Sequence, residues 1–212
     1  MELKLMEKDP MIIFSRNTPY MAVNIRKITK DGEGDIPLKE VASLCRCGKS
    51  NRKPFCDGSH NKEGLDEERS EDCPTSRIRR YQGDGITIIF NSVLCYHSGR
   101  CLKGLPEVFD RERRPWIKAD AADWKRIAEV IETCPSGALD YELKDGNTFE
   151  VTREDGISYR KNGPFKVTGN IELRNEEGIE PFVKERYALC RCGKSRNKPF
   201  CDGTHMENPF ED

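Results

Sequence analysis

CRCGKSNRKPFCDGSH, residues 45–60, returns almost unchanged as CRCGKSRNKPFCDGTH at residues 190–205. An offset of 145 residues lays one stretch on the other without a gap, and only positions 51, 52 and 59 differ from their counterparts. The likeness extends upstream: Pro19-Tyr20 meets Pro164-Phe165, Lys39-Glu40 meets Lys184-Glu185, and Leu44 meets Leu189. The repeating unit is therefore about 42 residues, too short to bury a good core alone. In each copy a strand-like stretch (20–28; 165–173) runs through a Gly- and charge-bearing turn to a second extended run that ends at the first cysteine. Each unit reads as a small β-hairpin feeding a metal loop.

The candidate ligands are Cys45, Cys47, Cys56 and His60 in the first copy and Cys190, Cys192, Cys201 and His205 in the second. Three thiolates and an imidazole suit a soft or borderline metal. A Cys3His zinc site would use the same donors, so the residue types alone leave zinc and iron both open. Gly48, Pro54 and Gly58 let the chain turn tightly, and Asp57 and Asp202 are read as loop caps rather than ligands.

The full pattern C-x-C-x2-S-x3-P-x-C-D-G-[ST]-H resembles the signature of the CDGSH iron–sulfur family, the mitoNEET-like proteins. That resemblance implies a 2Fe-2S cluster in each copy, one iron held by Cys45 and Cys47 and the other by Cys56 and His60. Cys190 with Cys192 and Cys201 with His205 repeat the set. One imidazole in place of a thiolate makes the oxidised cluster less negative. A potential is expected between roughly −400 mV for all-cysteine plant-type ferredoxins and the roughly −150 to +300 mV of two-histidine Rieske centres. Because imidazole also takes a proton near neutral pH, acid lability is expected. Family members with one motif pair as homodimers, so two copies in one chain are expected to pair with each other. The alternative is separate beads on a string.

Between the copies, Cys95-Tyr96-His97-Ser98-Gly99-Arg100-Cys101 is followed by Cys134-Pro135. Bacterial ferredoxins use C-x2-C-x2-C with a distant C-P, and Ser98 stands where the middle cysteine would be. The run from Ile86 to Leu143 resembles the divergent single-cluster 4Fe-4S ferredoxin domain. Three thiolates (Cys95, Cys101, Cys134) imply a 3Fe-4S cluster, or a 4Fe-4S cluster whose fourth iron takes solvent, Ser98 or His97. Residues 85–90 are strand-like, and the helical periodicity of residues 120–133 puts Trp124, Ile127, Ala128 and Ile131 on one face, with Asp120 as N-cap. Strands are expected at 138–143 and 148–152 around an Asp145-Gly146 turn. Cys73 falls outside every pattern and reads as a plain thiol.

With Lys+Arg 36 against Asp+Glu 37, no net field points to nucleic acid or an anionic membrane, and the basic runs 77–80 and 111–114 read as solvated surface. No apolar run is long enough for a signal peptide or membrane span, so a cytoplasmic protein is expected, with nine of its ten cysteines binding metal rather than forming disulfides. No nucleotide-binding glycine loop or nucleophile–base spacing is present, so no enzyme is expected.

The expected architecture is α+β: a CDGSH domain over 1–65, a linker over 66–80, a ferredoxin-like α/β domain over 81–145 and a second CDGSH domain over 146–212. The two β-rich lobes pair as an internal pseudo-dimer in a monomer, with a homodimer as the alternative. The expected function is one-electron transfer between a reductase and an acceptor protein through three centres. Cluster donation to an apo iron–sulfur acceptor, or redox and pH sensing, is the alternative, and structural zinc binding the third.

Overall fold

A computed structural model of the chain describes residues 9–65, 73, 76–144 and 149–212. Among the described residues it is α+β, mostly sheet with four short α-helices. The first copy supplies β1 (Met11–Phe14), β2 (Tyr20–Val23), β3 (Lys27–Lys30), β4 (Gly34–Pro37), β5 (Val41–Leu44) and α1 (Ser59–Glu63). The middle segment supplies β6 (Ile78–Gln82), β7 (Ile86–Asn91), α2 (Arg100–Gly104), α3 (Trp124–Glu132) and β8 (Leu139–Leu143). The second copy supplies β9 (Gly156–Tyr159), β10 (Phe165–Thr168), β11 (Glu172–Asn175), β12 (Arg186–Leu189) and α4 (Thr204–Glu207). The 145-residue offset maps β1, β2, β3 and β5 onto β9, β10, β11 and β12.

The hairpin reading needs one correction. Residues 20–28 are not one strand, because Asn24 takes a left-handed φ of 57° and Gly169 does the same at 83°, so the chain leaves the sheet between β2 and β3, and again between β10 and β11. β3 then pairs in parallel with β9 of the other copy (Ile28 opposite Ile157), and β11 pairs in parallel with β1 (Leu173 opposite Ile12). The sheets that result, β11-β1-β2-β5 and β12-β10-β9-β3-β4, each contain strands from both copies. Their buried faces share one core, in which Ile12, Tyr20, Ile28 and Leu44 meet Ile157, Phe165, Val167 and Leu189. Tyr20 lies edge-on to Phe165 at 6.4 Å and its hydroxyl donates to the Pro199 carbonyl in the other copy's metal loop (3.1 Å). Each such apolar side chain contributes about 1.5–3 kcal/mol by leaving water.

The middle segment forms a three-stranded sheet, β6-β7-β8, covered by α3, whose Ile127, Ala128 and Ile131 are fully buried. Asp123, not Asp120, caps α3, its carboxylate accepting from the Lys125 N–H (2.9 Å). β6 begins inside the expected linker, residues 149–152 are not strand, and the expected linker residues 66–72, 74 and 75 and the turn at 145–146 lie outside the described residues. Among the described residues no helix is long and apolar enough to cross a membrane.

The middle unit is joined to the second copy through Arg186, only 2% exposed. Its guanidinium donates to the Leu139 carbonyl (2.7 Å) and to Glu132 (3.2 Å), which also takes the Tyr141 hydroxyl and pairs with Arg153. The corresponding first-copy residue, Val41, is 49% exposed.

Candidate metal centres

Each motif folds back on the strand before it. In the first copy the Cys45 N–H donates to Pro54 O (2.8 Å), the Cys56 N–H to Ser43 O (2.9 Å) and the Ser50 hydroxyl to Phe55 O (2.6 Å). The second copy repeats these bonds between Cys190 and Pro199, Cys201 and Ala188, and Ser195 and Phe200. Asp57 accepts from the Asn51 and Ser59 N–H groups, and Asp202 from those of Arg196 and Thr204, which makes both caps of their loops. Those donors hold the Asp57 carboxyl well below the usual range, the Ser59 hydroxyl first among them.

Arg46 and Arg191, the middle residues of the two C-x-C pairs, anchor the loops from inside. Arg46 donates to the Ser15 and Thr18 carbonyls (3.0 Å each) and lies over the Phe14 ring, while Arg191 donates to Arg160 (3.2 Å) and Gly163 (3.0 Å) and lies over Tyr159. The sequence reading missed them, although the same arginine stands between the paired cysteines in both copies.

The ligand candidates come together in pairs. Cys45 and Cys47 sulfurs lie 3.8 Å apart and Cys190 and Cys192 sulfurs 3.6 Å apart, while Cys56 to His60 Nδ1 and Cys201 to His205 Nδ1 are both 3.3 Å. Left-handed Gly58 and Gly203 start α1 and α4 so that each histidine swings back over its cysteine. Backbone N–H groups point at sulfur: Lys49 at Cys47, Gly58 at Cys56 and Lys194 at Cys192, each 3.4 Å. The thiol hydrogen bond from its partner, followed by backbone N–H groups of the loop, pulls Cys45 and Cys190 below the usual thiol range despite burial. Among the described residues no three His, Cys, Asp or Glu side chains converge as one ion would need. Donor pairs and N–H groups aimed at sulfur fit a sulfur-bridged group with two ligands per metal.

The two loops also touch each other. A Cβ on Gly48 would lie 2.7 Å from the Cys192 carbonyl oxygen, and one on Gly193 would lie 2.5 Å from that of Cys47, with both glycines at left-handed φ. Backbone meets backbone there, and only glycine fits.

Identical motifs have unequal surroundings. His60 and Cys56 are half-buried, whereas His205 is 6% exposed because the middle segment covers it. A Cβ on Gly203 would meet the Tyr96 Cα at 3.3 Å and the Cys95 carbonyl oxygen at 3.7 Å, and the Tyr96 and His205 rings are 6.2 Å apart. Burial, then the Arg160 charge, pushes the His205 pKa down. The inverted pair Asn51-Arg52 and Arg196-Asn197 now makes sense: fully buried Asn197 donates to Val93 O (3.1 Å), where Arg52 in the other copy is exposed. Asn197→Arg is expected to cost about 2 kcal/mol by overpacking, with Arg52→Asn near neutral, in denaturant unfolding.

In the middle segment Cys95 ends the turn after β7, Cys101 lies on α2 and Cys134 follows α3. All three, with His97 and Ser98, line one cavity of about 730 Å³; Cys73 does not line it. His97 Nδ1 is 3.8 Å from the Cys95 sulfur, and the Ser136 hydroxyl 3.7 Å from that of Cys134. Burial, then the neighbouring Cys134 and Cys95, pushes the Cys101 thiol up to about 11, and burial also raises Cys95 against the His97 N–H and the charge of Arg111. Three thiols in one cavity fit a metal–sulfur group, whose positive irons would favour the thiolates.

Residues 15–61 and 162–206 match the family described as iron-binding zinc finger CDGSH type, and residues 81–144 match the divergent 4Fe-4S mono-cluster family. The chain carries two CDGSH-type iron-binding domains around one divergent 4Fe-4S mono-cluster domain. The chain is 26% identical over 105 residues to a Drosophila sechellia CDGSH iron-sulfur domain-containing protein 2 homolog, or 44% of this chain and 68% of that protein. A Drosophila melanogaster CDGSH iron-sulfur domain protein is 41% identical over 49 residues, 23% of this chain and 31% of that one. The Escherichia coli K12 uncharacterized protein YjdI is 46% identical over 66 residues, 31% of this chain and 87% of its own length. No solved structure matches the chain.

Proposed function

We propose that this CDGSH protein is a one-electron carrier with three iron–sulfur sites in series, its two copies forming the internal counterpart of a homodimer. Cys45, Cys47, Cys56 and His60 would hold one 2Fe-2S group and Cys190, Cys192, Cys201 and His205 another, with a 3Fe-4S or 4Fe-4S group on Cys95, Cys101 and Cys134. Such groups, when bound, accept and release single electrons at little structural cost. The supporting observation is the contact of Gly203, between ligands Cys201 and His205, with the Cys95–His97 backbone of the middle site. Together with the Gly48–Cys192 contact, it supports the order middle, C-terminal, N-terminal through packed backbone. Tyr96 and Ala188 exclude water between the first two.

Anaerobically purified full-length protein is expected to be coloured, to contain acid-labile sulfide and to show distinct paramagnetic signals from the two kinds of site on reduction. Freeze-quench after mixing with substoichiometric dithionite should find the electron shared among sites within one kinetic phase. A colourless protein with stoichiometric zinc overturns the reading. So does reduction in independent phases unaffected by a bulky Gly203→Val.

Cluster donation is the second reading, favoured by the exposure of the first copy's Cys56 and His60. It requires about half of the 2Fe-2S content to pass to an apo-ferredoxin while the C-terminal site keeps its share. Loss from both copies at one rate counts against it.

A further inference from the structure

The two basic runs that read as solvated surface converge on the middle site. Arg79 of β6 lies opposite Phe90 of β7 and Phe90 opposite Leu139 of β8, so the three share a sheet face, and all three line the 730 Å³ cavity. Arg111 and Arg114, from the loop before Trp116, line its other side. Among the described residues no Asp or Glu lines it. Among the described residues Arg79 and Arg111 have no carboxylate partner, and Arg114 donates only to the Arg111 and Arg113 carbonyls. Arg80 is different, because it pairs with Glu142.

A cluster core of eight heavy atoms, at about 30 Å³ each, takes up about 240 Å³ and leaves most of the cavity free. The remaining space has the size of a small-molecule site, with flat apolar walls from Trp116 and Phe90, packed edge to face at 4.9 Å, and convergent polar groups. Guanidinium forks match the two oxygens of a carboxylate or phosphate. Arg79, Arg111 and Arg114 match three thiolates charge for charge, so the positive core of a bound metal–sulfur group would leave the guanidiniums in surplus. Ser98, which replaces the fourth cysteine, opens on the same space.

We propose that this cavity binds a small oxyanion, a polycarboxylate or a phosphate, held by Arg79, Arg111 and Arg114 on the side of the middle site that lacks a fourth cysteine. The proposal rests on Cys95, Cys101 and Cys134 holding one metal–sulfur group, and it adds to that reading a ligand from solution. A bound anion would close the cavity to water and change the surroundings of the middle centre, so electron flow through it would respond to that anion.

The test is isothermal titration of the full-length, cluster-loaded protein with citrate and, separately, with pyrophosphate, both at fixed chloride and matched ionic strength. One site per chain with a dissociation constant at or below the millimolar range is expected for at least one probe, and the probe that binds tells carboxylate from phosphate. The double variant Arg79→Gln/Arg111→Gln should weaken it at least tenfold, and the same probe should shift the middle centre's paramagnetic signal in the parent only. Iron and sulfide analysis of each variant reports cluster loading separately, so a missing cluster is not mistaken for a missing anion site. Should the double variant lose iron, Arg79→Gln alone, on the exposed edge strand β6, takes its place. The proposal fails if neither probe binds saturably, if the variant binds as well as the parent, or if the heat follows ionic strength alone. It fails equally if both probes are ignored while an acidic redox protein binds the parent and not the variant, which would make the arginines a protein-docking face.

Discussion

Gly193→Ala is expected to destabilise the folded chain by about 3 kcal/mol, the sum of about 1–2 for a left-handed side chain and about 1–3 for overpacking. The added Cβ would lie 2.5 Å from the Cys47 carbonyl oxygen, a backbone atom in the other copy that cannot rotate away. Gly178→Ala is the internal control: φ is 65° there, yet nothing lies within 4 Å of the built Cβ. It should therefore cost only the conformational part, and denaturant unfolding of the two variants isolates the contact between the loops. Because Cys47 and Cys192 approach each other through that contact, Gly193→Ala should also disturb the spectra of both CDGSH sites. Equal costs for the two variants, or a change confined to the C-terminal site, would show that the loops do not support each other.

The second large effect belongs to Arg186. Its removal leaves Asp140 and half of the Glu132 environment without a cation in a largely dry interface, and loss of one partner from a buried pair costs about 3–5 kcal/mol. Arg186→Ala is thus expected to lose about 3 kcal/mol, at the low end because Arg153 still serves Glu132. The pH dependence carries a sign. Burial works against ionisation of Glu132, but the Tyr141 hydroxyl and the charges of Arg186 and Arg153 outweigh it and hold its folded pKa below the ordinary 4.5. Its contribution is then complete above pH 4.5 and is lost as pH falls through the lower folded value. Asp140 moves the opposite way, raised chiefly by burial with Arg186 opposing, so acid relieves Asp140 while it weakens Glu132. Glu132→Gln should flatten the acid limb of stability. An unchanged limb would place the acid sensitivity elsewhere.

Much of this was legible from the repeat. The 145-residue offset located the matching strands because both copies use the same turns, and the cysteine of each C-D-G-[ST]-H run lies 3.3 Å from its histidine. The short strands β1 and β9 were not legible: four-residue runs carry little periodicity, and each takes one of its two partners from the other copy. The break after Val23 was hidden because Asn24 looks ordinary in sequence, although its counterpart Gly169 was a clue. Asn197 and Arg52 could be seen to exchange places, but only packing against Val93 gives the exchange a reason. The arginines around the middle cavity looked like separate basic runs because a sheet face and a loop some thirty residues apart bring them together.

The unequal covering of His60 and His205 bears on how such a chain can change over time. In a homodimer, one substitution alters both sites at once, so neither can be adjusted alone. Here Val41 and Arg186, or Arg52 and Asn197, occupy equivalent positions encoded separately, and each site's shielding can be selected without compensation in the other. Fusion of the copies frees the two halves from having to be good at the same task.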